Sequence, residues 1–274
     1  MGTGAAEGIP AEFCKCEFCS AVRKLGISGE VRTRAQVLIN SNALIDFPPD
    51  SFYHSFAFGF SPADIGHIFV THSHMDHFYA HDFILHGYKY AGGGLGVMNI
   101  YGNSEVKGVF DECTAREMKP EVAEKLAFNI VSPYSCFNAG EYRVIAIPAE
   151  HTATEDSLLY YVEQENKGYL HLHDTGNVSD DAVAYLAKNG ARAAVVAYDC
   201  TFGERSGNLI SRHMGLPDVL VIKEKLAAAG VIDNDTRHVL THFSHNCRPW
   251  RRDMSELAEQ YGLIAAYDGM KITI

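Results

Sequence analysis

The chain has no apolar run approaching the ~20 residues that a membrane span requires, so none of its 274 residues reads as a transmembrane segment. It has no basic excess either: 23 Lys and Arg stand against 34 Asp and Glu, for a net charge of −11. Phosphate backbones are gripped by surplus cations, so an extended nucleic-acid footprint is not expected. A small anionic substrate held through metal ions is compatible with that balance. The opening stretch from Met1 to Gly8 lacks a basic segment followed by an apolar core, so no secretory signal is visible. Internal repeats and low-complexity linkers are missing too, and 47% hydrophobic residues are enough for one large core, so a single domain over 1–274 is expected. Seven cysteines, an odd number in apolar or metal-like contexts, suit a reducing cytoplasm better than a disulfide framework. A homodimer is compatible with the composition.

Against that background the run Thr71-His72-Ser73-His74-Met75-Asp76-His77 stands out. It follows the apolar stretch Ile68-Phe69-Val70, which reads as a strand. Side chains two apart share a face of an extended chain, so His72 and His74 point together, and Asp76 and His77 turn toward a neighbouring point. One ion cannot easily use all four groups, but two adjacent ions can. Imidazole with carboxylate suits zinc, manganese or iron, and paired ions ~3.5–4 Å apart are a known device for phosphoester hydrolysis.

A second constellation is Cys14, Cys16 and Cys19. Three thiols within six residues can wrap one soft ion, and a structural zinc takes four ligands. His245 is the leading candidate for the fourth and Cys247 its competitor. The loop 14–19 is therefore expected to bind one structural zinc and to tie the N-terminal segment to the rim near His242.

The HxHxDH run resembles that of the metallo-β-lactamase superfamily. The resemblance implies an α/β fold, a four-layer αββα sandwich, and further ligands late in the chain: a lone histidine at His151, a bridging aspartate at Asp174 and a final histidine at His242. Each follows an apolar run of strand length. One departure is His173, where relatives carry a small residue. Another is the start: Met1 directly precedes Gly2-Thr3-Gly4, so the first strand of the fold is expected to be absent or a stub. Together with Gly2-Thr3-Gly4, CxCxxC and THxSH, the motif is similar to the branch that contains phosphoribosyl 1,2-cyclic phosphate phosphodiesterase. That likeness implies a metal-dependent hydrolysis of a small cyclic phosphodiester by a metal-bridging hydroxide. It places two divalent ions on His72, His74, Asp76, His77, His151, Asp174 and His242, with Asp76 also counted among the catalytic residues. His213, in the loop after Asp199-Cys200, matches the branch's assisting histidine and is expected to protonate the leaving group. Proteins of pyrroloquinoline quinone biosynthesis share CxCxxC but typically have a degraded active-site motif. A tRNA-processing nuclease would need a long basic arm that is not seen. A thioester or lactam hydrolase, or a non-catalytic cofactor-biosynthesis protein, is the other alternative.

Lesser candidates are Asp46 and Asp199 as outer carboxylates, and Arg205, Arg212, Arg248, Arg251 and Arg252 as phosphate holders. Packing or solvation is the expected role of His54, His67, His81, His86, His171 and His238. Among the elements, helices are expected over 77–90, over 104–118 with Ser104 as cap, over 179–188 and 216–229, and over 254–261. A closing hairpin is expected around Asp268-Gly269.

Overall fold

The computed structural model describes residues 1–274. In chain order the elements are α1 (Glu17–Leu25), β1 (Val37–Ile39), β2 (Ala43–Ile45), α2 (Ser51–Phe58), β3 (His67–Phe69), β4 (Met98–Gly102), α3 (Ser104–Thr114), α4 (Pro120–Ala123), β5 (Leu126–Ile130), β6 (Ser135–Ala139), β7 (Tyr142–Pro148), β8 (Leu158–Gln164), β9 (Lys167–Leu172), α5 (Asp180–Lys188), β10 (Ala193–Asp199), α6 (Leu216–Ala228), β11 (Arg237–Thr241), α7 (Arg251–Glu259) and β12 (Ile264–Ala265). The strands form two sheets. One has five strands in the order β1-β2-β3-β4-β5, the other seven in the order β12-β11-β10-β9-β8-β7-β6. In the first sheet only the β1–β2 pair is antiparallel. In the second, β9 to β12 run parallel and β6 to β9 antiparallel.

Strand alternation builds the layers. Ala43 and Ile45 of β2 face the other sheet and pack with Phe69, Val144, Ala146, Tyr160 and Val162. Leu44, Ile68 and Ile100 face outward, under Val106 and Phe110 of α3. On the far side Ile145, Leu159, Tyr161, Leu170, Val196 and Leu240 are covered by α1, α5, α6 and α7. Both sheets are thus buried on two faces, which gives the four layers. Fully burying one such Leu, Ile or Phe contributes about 1.5–3 kcal/mol, so the sandwich is a stiff support for the loops at its rim.

The N-terminal segment makes isolated bridges and no full strand. Gly4 makes one parallel bridge to Arg34 and one to Phe243, just past β11. Three local expectations are corrected. Residues 77–90 are not an α-helix: Phe47 N–H donates to the His77 carbonyl, Tyr79 N–H donates to the Phe47 carbonyl, and only a 3-10 helix follows, over Ala80–Leu85. Pairing with the extension of β2 takes the backbone groups that a helix would use. The cap of α3 is Asn103, whose Oδ1 accepts from Val106 N–H at 2.9 Å, not Ser104. No hairpin closes the chain. Instead the Asp268 carboxylate accepts from Thr3 Oγ1 and from Thr33 N–H and Oγ1 at 2.6–2.7 Å, so the tail is tied down by polar contacts.

Candidate metal centre

The predicted side chains emerge from loops at the carboxyl ends of strands, all but His151 after a strand with a parallel neighbour, where α/β sheets place their ligands. His72, His74, Asp76 and His77 follow β3, His151 follows β7, Asp174 follows β9 and His242 follows β11. All seven meet around the Asp174 carboxylate. Donor atoms of His72, His74, His151 and Asp174 lie within 4.8 Å of one another, and so do those of Asp76, His77, Asp174 and His242. In the first set His72 Nε2 is 2.9 Å from His74 Nδ1 and 3.3 Å from Asp174 Oδ2, and His151 Nε2 is 3.3 Å from His74 Nδ1. In the second, His77 Nε2 is 2.9 Å from Asp174 Oδ2 and 3.2 Å from Asp76 Oδ2, while His242 Nε2 is 3.1 Å from Asp174 Oδ1. Four donors at ~2.0–2.2 Å from a tetrahedral ion lie ~3.3–3.6 Å apart, so both sets have about the span of a coordination shell.

Unmet polar atoms support the same fit. His77 Nε2, His242 Nε2 and Asp174 Oδ1 are buried without a hydrogen bond, although such atoms are normally paired in protein interiors. The electrostatics agree. Burial alone would lower His77, yet the carboxylates of Asp76, Asp46 and Asp174 hold it well above the usual imidazole range. Burial alone would raise Asp174, yet His242 and His77 hold it well below the usual carboxylate range. Burial likewise lowers His151, to about 4. The carboxylates around His77 thus favour positive charge at this point, the charge that a divalent cation would supply.

A layer of supporting groups fixes these rings. Asp46, buried at the end of β2, lies 2.6 Å from His77 Nδ1 through Oδ2 and accepts from Thr71 N–H at 2.8 Å. Thr71 Oγ1 also reaches His72 Nδ1 at 3.0 Å. Thr201 Oγ1 is 2.9 Å from His242 Nδ1, and the Arg212 carbonyl is 3.3 Å from His151 Nδ1. Asp46, Asp174 and His242 all have left-handed backbones, with φ of 64°, 49° and 60°. Strain of this kind collects at functional sites.

His213 sits beside the centre. Its Nδ1 lies 3.0 Å from Asp199 Oδ2 and 3.2 Å from Asp174 Oδ1, and burial, which would lower it, is outweighed by these two partners, which push it up to about 10. Asp199 is fully buried and its Oδ1 accepts from Thr201 N–H. His173 makes no hydrogen bond. It is buried and lies tilted against His171, ring centroids 3.7 Å apart, so it packs behind the centre and adds no polar contact to it. Thr201, and Glu155, which accepts from Ser73 N–H and Oγ, carry no signal in the sequence, because their roles depend on contacts made across the fold. Of the other histidines, His54 is buried between Gln36 and Thr33, and His81 and His86 lie on the 3-10 turn away from the ligand sets.

The second predicted cluster also assembles. Cys14, Cys16, Cys19 and His245 lie within 4.8 Å of one another, with His245 Nδ1 3.4 Å from Cys19 Sγ and 3.8 Å from Cys16 Sγ. The Cys19 N–H at the start of α1 donates to Cys16 Sγ, and with His245 it lowers that thiol to about 6. Burial pushes Cys19 up to about 11. Cys247 lies outside the cluster and donates to the Thr201 carbonyl at 2.9 Å. Ser244 Oγ and His245 N–H both donate to Glu7, which lines the cavity over the two ligand sets, so this cluster borders its rim. That cavity measures about 690 Å³ and is also lined by Phe202, Arg205, Arg212 and Asn246. A separate cavity of about 430 Å³ opens beside Asn40, Glu141 and Lys167, at the turns on the opposite ends of the strands, and holds no ligand cluster.

Two sheets faced by helices, with histidines and aspartates at the strand ends, define a metallo-β-lactamase fold, and the chain belongs to the β-lactamase superfamily, whose domain model matches residues 41–243. Among solved structures it is similar to a diphosphatase from the PhnP family, at 21% identity and a TM-score of 0.70 over 100% of this chain and 95% of that one. It is also similar to Zn(2+)-bound PqqB from Methylobacterium extorquens, at 15% identity and a TM-score of 0.72 over 100% of this chain and 98% of that one. The short form of human tRNase Z shares 17% identity and a TM-score of 0.65, over 100% of this chain and 97% of that one. Among curated proteins no sequence matches. The family is typically one of metal-dependent hydrolases. No helix is long and apolar enough to cross a membrane.

Proposed function

We propose that the protein is a dinuclear metal-dependent phosphodiesterase acting on a small cyclic phosphodiester. The observation that carries this reading is the pair of complete ligand sets sharing Asp174, with the Asp199–His213 pair against the shared carboxylate. His72, His74 and His151 would hold one ion, Asp76, His77 and His242 the other, and Asp174 both. When bound, such a pair supplies charge at the scissile phosphate and lowers the pKa of a water. The protein supplies the rest. Asp46 and Thr201 fix the ring orientation of His77 and His242. Asp199 orients His213, whose Nε2 has no protein partner and is free to give a proton to the leaving oxygen. Arg205 and Arg212 line the cavity without a carboxylate partner and can meet an anionic substrate.

The ions at the centre would be zinc, manganese or iron, which nitrogen and oxygen donors do not sharply separate. The thiolate-rich cluster of Cys14, Cys16, Cys19 and His245 favours a structural zinc. Two of the three similar structures are of proteins named for phosphate chemistry or tRNA processing, which supports phosphoester hydrolysis. Against the nuclease alternative stands the net charge of −11. Against a binding-only role stands the completeness of both ligand sets. The deciding experiment is a hydrolysis panel on metal-loaded protein: cyclic ribose phosphates, cyclic nucleotides, linear diesters, thioesters and a β-lactam. Turnover of a thioester or lactam in preference to every diester would remove this reading.

A further inference from the structure

The first ligand set is drawn from two separate loops: His72 and His74 follow β3, and His151 follows β7. One carboxylate joins those loops. Glu155, four residues past His151, accepts from Ser73 N–H at 3.0 Å through Oε2 and at 3.2 Å through Oε1, and from Ser73 Oγ at 2.7 Å through Oε1. Ser73 is the residue between His72 and His74. The Glu155 Oε2 atom also accepts from Asn103 Nδ2 at 2.9 Å, and Asn103 is the residue that caps α3 through its Oδ1. The same Asn103 amide donates to the Asp156 carbonyl, and Leu158 N–H donates to the Thr71 carbonyl. The loop after β7 is therefore stitched to Thr71, to Ser73 and to the start of a helix.

We infer that Glu155 is a positioning residue that assembles the three imidazoles of the first set before any ion arrives. Rotating His72 and His74 toward one point needs the peptide at Ser73 held in one orientation, and Glu155 is the side chain that takes both of its donors. His151 is set by the same act, since its loop is anchored by that side chain. Ligands held in advance cost less ordering when the ion binds. The inference rests on the metal-centre reading, and it concerns ion affinity, so it is judged apart from the choice of substrate.

The test is a zinc titration of metal-free full-length protein against a competing chelator, for wild type, Glu155→Ala and Glu155→Gln. Outer partners of metal ligands change affinity ~10–100-fold. Glu155→Ala should weaken one of the two active-site ions by ~10-fold or more and the other by a clearly smaller factor. Glu155→Gln keeps the shape. Its amide NH₂ can donate to Ser73 Oγ while its oxygen accepts from Ser73 N–H and Asn103, so it should recover most of the lost affinity. Hydrogen exchange on the metal-free proteins gives a readout without any ion: the Ser73 amide should be protected in wild type and Glu155→Gln and open in Glu155→Ala. Wild-type affinity in Glu155→Ala, or equal weakening of both ions, would overturn the inference. So would a Glu155→Gln as weak as the alanine variant, because the charge would then matter and not the hydrogen bonds. A wild-type protein that binds both ions yet hydrolyses no phosphodiester would remove the proposed reaction and leave Glu155 standing.

Discussion

Replacing Asp46 by asparagine is the sharpest test of how the second ligand set is held. The carboxylate has two separate jobs: one oxygen faces His77 Nδ1 at 2.6 Å, the other accepts from the Thr71 N–H at 2.8 Å. Asparagine has one acceptor, so one contact must fail. With its oxygen left toward Thr71, the new NH₂ meets the Nδ1–H of His77, donor against donor. The ring can relieve this only by moving its proton to Nε2, the atom that faces Asp76 and Asp174 and is needed as a ligand. A hydrogen bond to a charged group is worth about 1.5–3 kcal/mol, and a 10–100-fold loss of ion affinity corresponds to ~1.4–2.7 kcal/mol. The two figures agree, so a ~10–100-fold weaker second ion is expected with the first nearly unchanged. The backbone is not a confounder, because asparagine tolerates the left-handed φ of 64° at this position. Chelator competition with zinc or manganese, beside a melting curve of the metal-free variant, reads both effects. Full retention of both ions in Asp46→Asn, or weakening of the His72 set in place of the His77 set, would show that Asp46 does not orient His77 and would refute the reasoning.

The other expectations are more quickly stated. Elemental analysis should find up to three ions per chain, and full activity with one alone would contradict the paired centre. Asp174→Ala should abolish turnover with the fold intact, while Cys16→Ser should lose zinc and stability together; the reverse pattern in melting curves and rates would exchange the two assignments. His213→Ala should cut turnover of an alkyl or sugar diester by ~10²-fold and that of a nitrophenyl diester far less; equal losses would leave His213 a binding or loop-setting group. Burial pushes His54 down to about 3 from 6.5. Stability from its neutral form is complete above pH 6.5 and is lost as pH falls from there toward 3. Between pH 7 and 5 that loss approaches about 2 kcal/mol, and urea unfolding of His54→Asn should show a slope reduced by up to that amount.

Much of this centre was legible in the sequence because its ligands are close in the chain or stand at the ends of apolar runs. His72, His74, Asp76 and His77 announce themselves by spacing, and His151, Asp174 and His242 by the strands before them. Cys14, Cys16 and Cys19 were equally plain, and His245 over Cys247 needed only the loop geometry. The supporting groups were harder. Asp46 lies thirty-one residues from His77 and Glu155 eighty-two from Ser73, and no local pattern links them. Strands β5 and β6 leave little signal because almost none of their residues is buried, only Ala139 at the end of β6. The helix expected after His77 failed for a tertiary reason, since Phe47 claims the backbone of residues 77–79.

The left-handed backbones of Asp46, Asp174 and His242 have a consequence for anyone who engineers this protein. Glycine at His242 would relieve about 1 kcal/mol or more, and at Asp174 less, because aspartate tolerates this conformation; Asp46 is held in place by its buried contacts to Thr71 and His77. The unmet polar atoms of Asp174 and His242 would vanish in the same step. A library selected for heat resistance alone, without metal, should therefore favour changes at these positions early. The first winners of such a selection would be sturdier proteins with a dead centre, so thermal robustness and ion binding have to be selected together.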